Sequence, residues 1–169
     1  MTKTKSLNRV LLISAMNGGS VACLGVIGVL ISLVWGGWLG AFVCLLITVS
    51  GGMELTGRSR LKQGRREAGK LLKASQLWLF LVIVCYAGYQ LWSFDRQDPL
   101  AIFSPELQEM LKTSLGPDSP GMGVLIAKAY DAVYISLIVA AFLYQGGLWL
   151  YYRKISLKAS SVSENSRQE

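Results

Sequence analysis

The sequence contains no histidine. That absence removes bis-His haem ligation, His-based zinc sites, Ser-His and Cys-His nucleophile pairs and imidazole proton relays together. Cysteine is scarce: Cys23, Cys44 and Cys85 lie in charge-free stretches, none in a CxxC pair. The two adjacent thiols that a membrane disulfide oxidoreductase needs are missing, and the three read as small apolar residues that stay reduced. No glycine-rich phosphate loop is present, because the glycine pairs have apolar neighbours and no following Lys-Ser/Thr. Charge is the last shortage. Charged residues make up 16% of the 169 positions, against about 25% in an average soluble domain.

The shortage is concentrated. No charged residue occurs between Arg9 and Glu54, and residues 74–94 and 132–152 are equally free of charge. About 20 apolar residues cross a bilayer core as a helix. The chain therefore reads as an all-α integral membrane protein with four transmembrane helices. The first stretch is too long for one span and suits a hairpin of helices at about 10–34 and 38–55. Trp35-Gly36-Gly37-Trp38 is the natural joint, the glycines supplying backbone freedom and the tryptophans a headgroup-level anchor. A third helix is expected at 72–94 and a fourth at 130–152, with Trp78, Trp92, Phe94, Tyr130, Trp149, Tyr151 and Tyr152 marking their ends. A cleavable signal peptide would end in polar chain, whereas the first apolar run leads into another span. Internal repetition is not apparent.

Orientation follows from the basic residues. Lys3, Lys5 and Arg9 lie in the tail 1–9; Arg58, Arg60, Lys62, Arg65, Arg66, Lys70 and Lys73 lie in or flank the connection 56–71; Arg153, Lys154, Lys158 and Arg167 follow the fourth helix. An even number of spans places all three groups on one side, and the Lys/Arg excess marks that side as cytoplasmic. The expected location is the inner cell membrane with both termini cytoplasmic. The basic connection lacks the aromatics of a nucleic-acid surface and reads as a contact for anionic lipid headgroups. Residues 153–169 read as a polar, disordered tail.

The non-cytoplasmic segment 95–129 should hold a short extramembrane amphipathic helix at about 105–115. Ser104 is the N-cap, Pro105 the first helical residue and Glu106 the first-turn acid. Leu107, Met110, Leu111 and Leu115 form its apolar stripe, and residues 116–121 (GPDSPG) end it.

Two patterns inside the spans stand out. Ser14, Gly18 and Ala22, and Gly36, Gly40, Cys44, Thr48 and Gly52, recur at intervals of four. Such small-residue faces let helices approach closely, either within this hairpin or between copies of the chain. Glu54, Arg58 and Gln76 form the candidate intramembrane polar site. Glu54 at the cytoplasmic margin is expected to pair with Arg58 one turn on, with a proton or cation coupling site as the alternative. Gln90 and Gln145 are further groups able to hydrogen-bond between helices. No catalytic, metal or cofactor constellation is read, so the chain is not expected to be an enzyme. The sequence favours a non-catalytic accessory, assembly or scaffold component with a membrane-protein partner, or with itself, as its contact. A small oligomeric transporter or channel built around Glu54 is the alternative.

Overall fold

Two glycines with positive φ set the first two turns of the chain, and both do it in the same way. In the computed structural model, which describes residues 2–65, 67–95, 98–115 and 120–165, helix α1 (Thr2–Val34) ends at Gly36 and helix α2 (Trp38–Lys62) ends at Gly64. Their φ angles are +71° and +70°, a region where a Cβ is crowded and glycine is at ease. At the first turn Gly36 N–H donates to Leu33 O at 3.2 Å and Gly37 N–H to Ser32 O at 2.8 Å. At the second, Gly64 N–H donates to Leu61 O at 3.1 Å and Arg65 N–H to Arg60 O at 3.0 Å. These paired bonds are Schellman caps, which satisfy helix-end carbonyls while reversing the chain.

Helix α3 (Ala68–Ser93) follows, then a short 3-10 helix (Pro99–Ile102), α4 (Pro105–Leu115) and α5 (Pro120–Asn165). The described residues are mostly helical, with no strand among them. Four stretches are long and apolar enough to cross a membrane: Arg9–Val34, Trp38–Lys62, Ala68–Ser93 and Gly123–Arg153. The shortest has 25 residues, about 37 Å of helix at 1.5 Å per residue against about 30 Å of hydrocarbon.

The helices overrun the spans read from hydropathy, because polar residues at a helix end cost only propagation once the helix is nucleated. The basic connection 56–71 is mostly helix, leaving it among the described residues at 63–65 and 67. Residues 153–165, read as disordered, continue α5, with Leu157, Lys158 and Ala159 as favourable helix formers. Arg66, residues 116–119 and residues 166–169 lie outside the described residues.

The chain divides into two units, residues 1–83 with 141–169 and residues 84–140. In the first, α1 and α2 form the tightest helix pair. Its buried apolar cluster is small: Val10, Leu72 and Tyr152, flanked by Leu61, Leu148 and Tyr151. Leu79 and Val82 are also buried, and with them a large polar share: Ser14, Asn17, Ser50, Glu54, Ser75, Gln76 and Gln145. Large apolar side chains such as Leu24, Leu30, Val34, Trp35 and Trp38 point outward.

The second unit is organised by aromatics. Phe94 stacks on Tyr130 with ring centroids 4.1 Å apart, and Tyr130 contacts Tyr134 at 4.7 Å. Tyr130 Oη donates to Gln90 Oε1 at 3.0 Å, while Gln90 Nε2 donates to Tyr86 Oη at 2.8 Å. Gln90 thus serves the interhelical hydrogen bonding expected of it. In α4, Gln108 N–H donates to Ser104 O at 3.0 Å and Gln108 Nε2 to Phe103 O at 3.0 Å. Leu107 and Met110 are exposed; the side chains of Leu111 and Leu115 lie outside the described set.

Candidate functional site

The small-residue seam brings α1 and α2 close enough to hold a carboxylate between them. Gly18 faces Glu54, where an added Cβ would lie 3.1 Å from Glu54 Cβ and 3.3 Å from Gly51 O. Further along, Gly25 meets the Thr48 and Cys44 backbone, Gly28 meets Cys44 Sγ and Gly40 meets Ser32 Oγ. Ser14 is fully buried, its Oγ donating to Leu11 O at 3.4 Å.

Gly51, rather than Gly52, touches α1: its Cβ would sit 2.6 Å from Ala22 N, whereas Gly52 faces open space. The reason is geometric. A strict four-residue repeat drifts by about 40° per step on a helix of 3.6 residues per turn, so a seam must alternate steps of four and three. Gly36 also lies off the seam, in the turn, with nothing near its Cβ position. Gly25 and Gly28, which the repeat of four skips, lie on the seam for the same reason.

Beyond the seam, α2 presents a second face to α3. An added Cβ on Gly57 would lie 3.0 Å from Leu72 Cδ2, Ser50 Oγ donates to Ser75 O at 2.9 Å and Trp78 Nε1 donates to Leu46 O at 3.3 Å. Glu54 sits where the two faces meet and is 1% exposed. Its carboxylate receives hydrogen bonds from three other helices. Asn17 Nδ2 of α1 donates to Oε2 at 2.5 Å, Gln76 Nε2 of α3 donates to the same oxygen at 3.0 Å, and Tyr152 Oη of α5 donates to Oε1 at 2.6 Å. Tyr144 Oη donates to Asn17 Oδ1 at 3.0 Å, which orients the Asn17 amide with its NH₂ toward Glu54. The Tyr152 distance falls within the range of about 2.5–2.7 Å typical of a hydroxyl donating to a carboxylate.

The structure thus brings Glu54 and Gln76 together and separates them from Arg58. No ion pair joins Glu54 to Arg58; Arg60 pairs with Glu67 at 3.8 Å on the surface. The i, i+4 pairing expected from spacing gives way because the Glu54 side chain turns inward, where neutral donors already occupy it. Arg58 Nε is itself buried without a hydrogen-bond partner.

Asn17, Tyr144 and Tyr152 complete the site and were not legible as members of it. Tyr152 reads in sequence as an interfacial aromatic. Asn17 carried a usable signal: it is an amide in an apolar run, beside Ser14 and Gly18 on the packing face, where such groups join helices.

Of the basic residues read as lipid contacts, Arg58, Arg60 and Lys62 lie on the last turns of α2, Arg65 in the turn, and Lys70 and Lys73 on the first turns of α3. All six are exposed or half-buried. Cations at the C-terminus of α2 also complement its dipole. Among the described residues no group of three Cys, Asp or Glu side chains gathers as a metal site. Comparison with family models, curated proteins and solved structures finds no match to this chain.

Proposed function

We propose that the chain is a multi-pass protein of the inner membrane, with both termini in the cytoplasm, and that it serves as a non-catalytic accessory, assembly or scaffold component. Support for insertion comes from where the large apolar side chains lie: many Leu, Val, Ile and Trp side chains face outward, while amides, hydroxyls and a carboxylate share the interior with a few apolar residues. In water that surface would be a large unpaid exposure; against lipid it is the favourable arrangement. The Lys/Arg distribution supports the orientation, and the basic turn between α2 and α3 suits anionic headgroups, at about 1 kcal/mol per cation near the surface.

The observation that carries the scaffold reading is the state of Glu54. An intramembrane acid is a functional suspect by default, yet this one is saturated by donors from three helices and acts as the knot of its bundle. A bundle tied together at this carboxylate, with outward apolar faces, is suited to holding a partner. The test is extraction in native nanodiscs and mass measurement of the intact particle. A stoichiometric second polypeptide supports the proposal; a particle that holds this chain alone and acts alone in vesicles refutes it.

One observation favours the transporter reading: among the described residues no cation pairs with the buried Glu54, and Gln76 links it to a neighbouring cavity. On that reading Glu54→Gln abolishes solute or ion flux in reconstituted vesicles, and unchanged flux removes the assignment.

A further inference from the structure

Beside the Glu54 cluster, in the first unit, α3 and α5 leave an open groove of about 160 Å³ between them. Its walls are Leu77 and Phe80 of α3 and Phe142, Gly146 and Trp149 of α5. Phe80 and Phe142 meet edge to face at one end, with ring centroids 6.2 Å apart. Gln76 and Gln145 stand behind these walls, 1% and 5% exposed, with their Oε1 atoms sealed from the groove. The surface offered to an occupant is therefore hydrocarbon and aromatic ring. It suits an aliphatic chain and gives a polar group nothing in exchange for its water.

The other end of the groove is flanked by charge. Lys73 precedes Gln76, Leu77 and Phe80 by three, four and seven residues, and Arg153 follows Trp149, Gly146 and Phe142 by four, seven and eleven. Those intervals keep residues on one helix face, so each cation extends a groove wall by one turn. Phe80 meets Phe142 while Leu72 shares a buried cluster with Tyr152, so the two helices run antiparallel. Lys73 and Arg153, the next residues after Leu72 and Tyr152, accordingly lie at the same end. The Arg153 guanidinium turns back along its wall to sit 5.5 Å from the Trp149 ring, as a helical side chain tilted toward the N-terminus does. Lys73 is half-buried and Arg153 exposed. Among the described residues neither has a carboxylate partner: Glu67 pairs with Arg60, and Glu54 is buried among neutral donors.

The dimensions match one leaflet. At 1.5 Å per residue, α3 rises about 10 Å from Lys73 to Phe80 and α5 about 16 Å from Arg153 to Phe142, against about 15 Å for half of the hydrocarbon core. An apolar groove ending in two uncompensated cations complements an amphiphile with one anionic end. We infer that the groove seats one acyl chain of an anionic phospholipid, with the headgroup phosphate held between Lys73 and Arg153. The chain runs past Trp149, Leu77 and Gly146 and stops at the Phe80–Phe142 pair. This deepens the headgroup contact proposed for the basic turn, rests on the membrane reading, and holds for a scaffold or a transporter alike.

The test titrates the full chain in maltoside micelles with dioleoylphosphatidylglycerol or dioleoylphosphatidylcholine, which share their chains and differ in net charge. Native mass spectrometry counts the bound molecules. One phosphatidylglycerol should bind about 30-fold more tightly than phosphatidylcholine, the equivalent of about 2 kcal/mol for two cations. Lys73→Gln with Arg153→Gln should bring the two lipids to within about threefold of each other. Lys62→Gln with Arg65→Gln removes the same charge from the end of α2 and the turn, and should lower the preference by less than about threefold. Gly146→Leu fills the groove from a position whose Cβ meets nothing within 4 Å, and should abolish binding with helicity unchanged. If Gly146→Leu fails to fold, the two charge variants decide alone. Equal affinity for the two lipids, equal losses in the two charge variants, phosphatidylglycerol binding that survives Gly146→Leu, or a second polypeptide bound in the lipid's place overturns the inference. Release of the chain from membranes by alkaline carbonate would refute the membrane reading and the lipid seat together, whereas the other results refute the seat alone.

Discussion

Adjacent glycines on α2 offer a controlled test of the helix seam, because Gly51 and Gly52 differ only in which way they face. Alanine at Gly51 would place its Cβ 2.6 Å from Ala22 N and 2.8 Å from Gly18 O, where ordinary contact begins at 3.4 Å. Both neighbours are backbone atoms, so no rotamer change relieves the overlap and α1 as a whole must retreat. Overpacking of this kind costs about 1–3 kcal/mol. The retreat also pulls on the Asn17–Glu54 hydrogen bond, now 2.5 Å, and weakening a buried bond to a charged group adds about 1 kcal/mol or more. The expected loss for Gly51→Ala is therefore about 2–4 kcal/mol. Gly52→Ala meets nothing within 4 Å and should stay within about 0.5 kcal/mol of the parent. The assay is reversible unfolding in mixed micelles by added dodecyl sulfate, followed by helicity and tryptophan emission. Equal midpoints for the two variants would refute the seam, and with it the placement of Glu54 between α1 and α2.

The Glu54 cluster and the caps give further expectations, measurable by the same titration. Tyr152→Phe removes the 2.6 Å bond to Glu54 Oε1 and should cost about 1.5–3 kcal/mol, whereas Tyr144→Phe, which acts through Asn17 from an exposed position, should cost less than about 1 kcal/mol. Glu54→Leu leaves the Asn17, Gln76 and Tyr152 donors unpaired together and should destabilise by more than about 3 kcal/mol; Glu54→Gln keeps an acceptor in place and should retain the fold. Gly36→Ala and Gly64→Ala each force a Cβ into positive φ and should cost about 1–2 kcal/mol. Glu67→Gln breaks the exposed pair with Arg60 and should change stability by less than about 0.5 kcal/mol, with any effect vanishing at high salt.

Composition and charge spacing alone determined that the chain is helical and carries four helices long and apolar enough to span a bilayer. These properties accumulate over some twenty residues, and local packing cannot reverse them. The joint at Gly36 was legible because glycine between two apolar runs has few other uses. Gly64 is harder to read: inside a basic stretch a glycine can equally weaken a helix or cap its end, and here it is the cap. Small residues marked the seam, but a straight count of four placed Gly52 on it and missed Gly25 and Gly28, since the helix period is not an integer.

Tertiary structure decided the partners. Spacing offered Arg58 to Glu54, because the i+4 neighbour is the one contact a single helix defines. Asn17, Gln76 and Tyr152 lie 37, 22 and 98 residues away from it, and they reach the carboxylate only once four helices pack around it. The orphaned oxygens of Gln76 and Gln145 belong to the same category. A sequence supplies each amide, but whether it is satisfied depends on what the neighbouring helix brings within 3 Å or so of it.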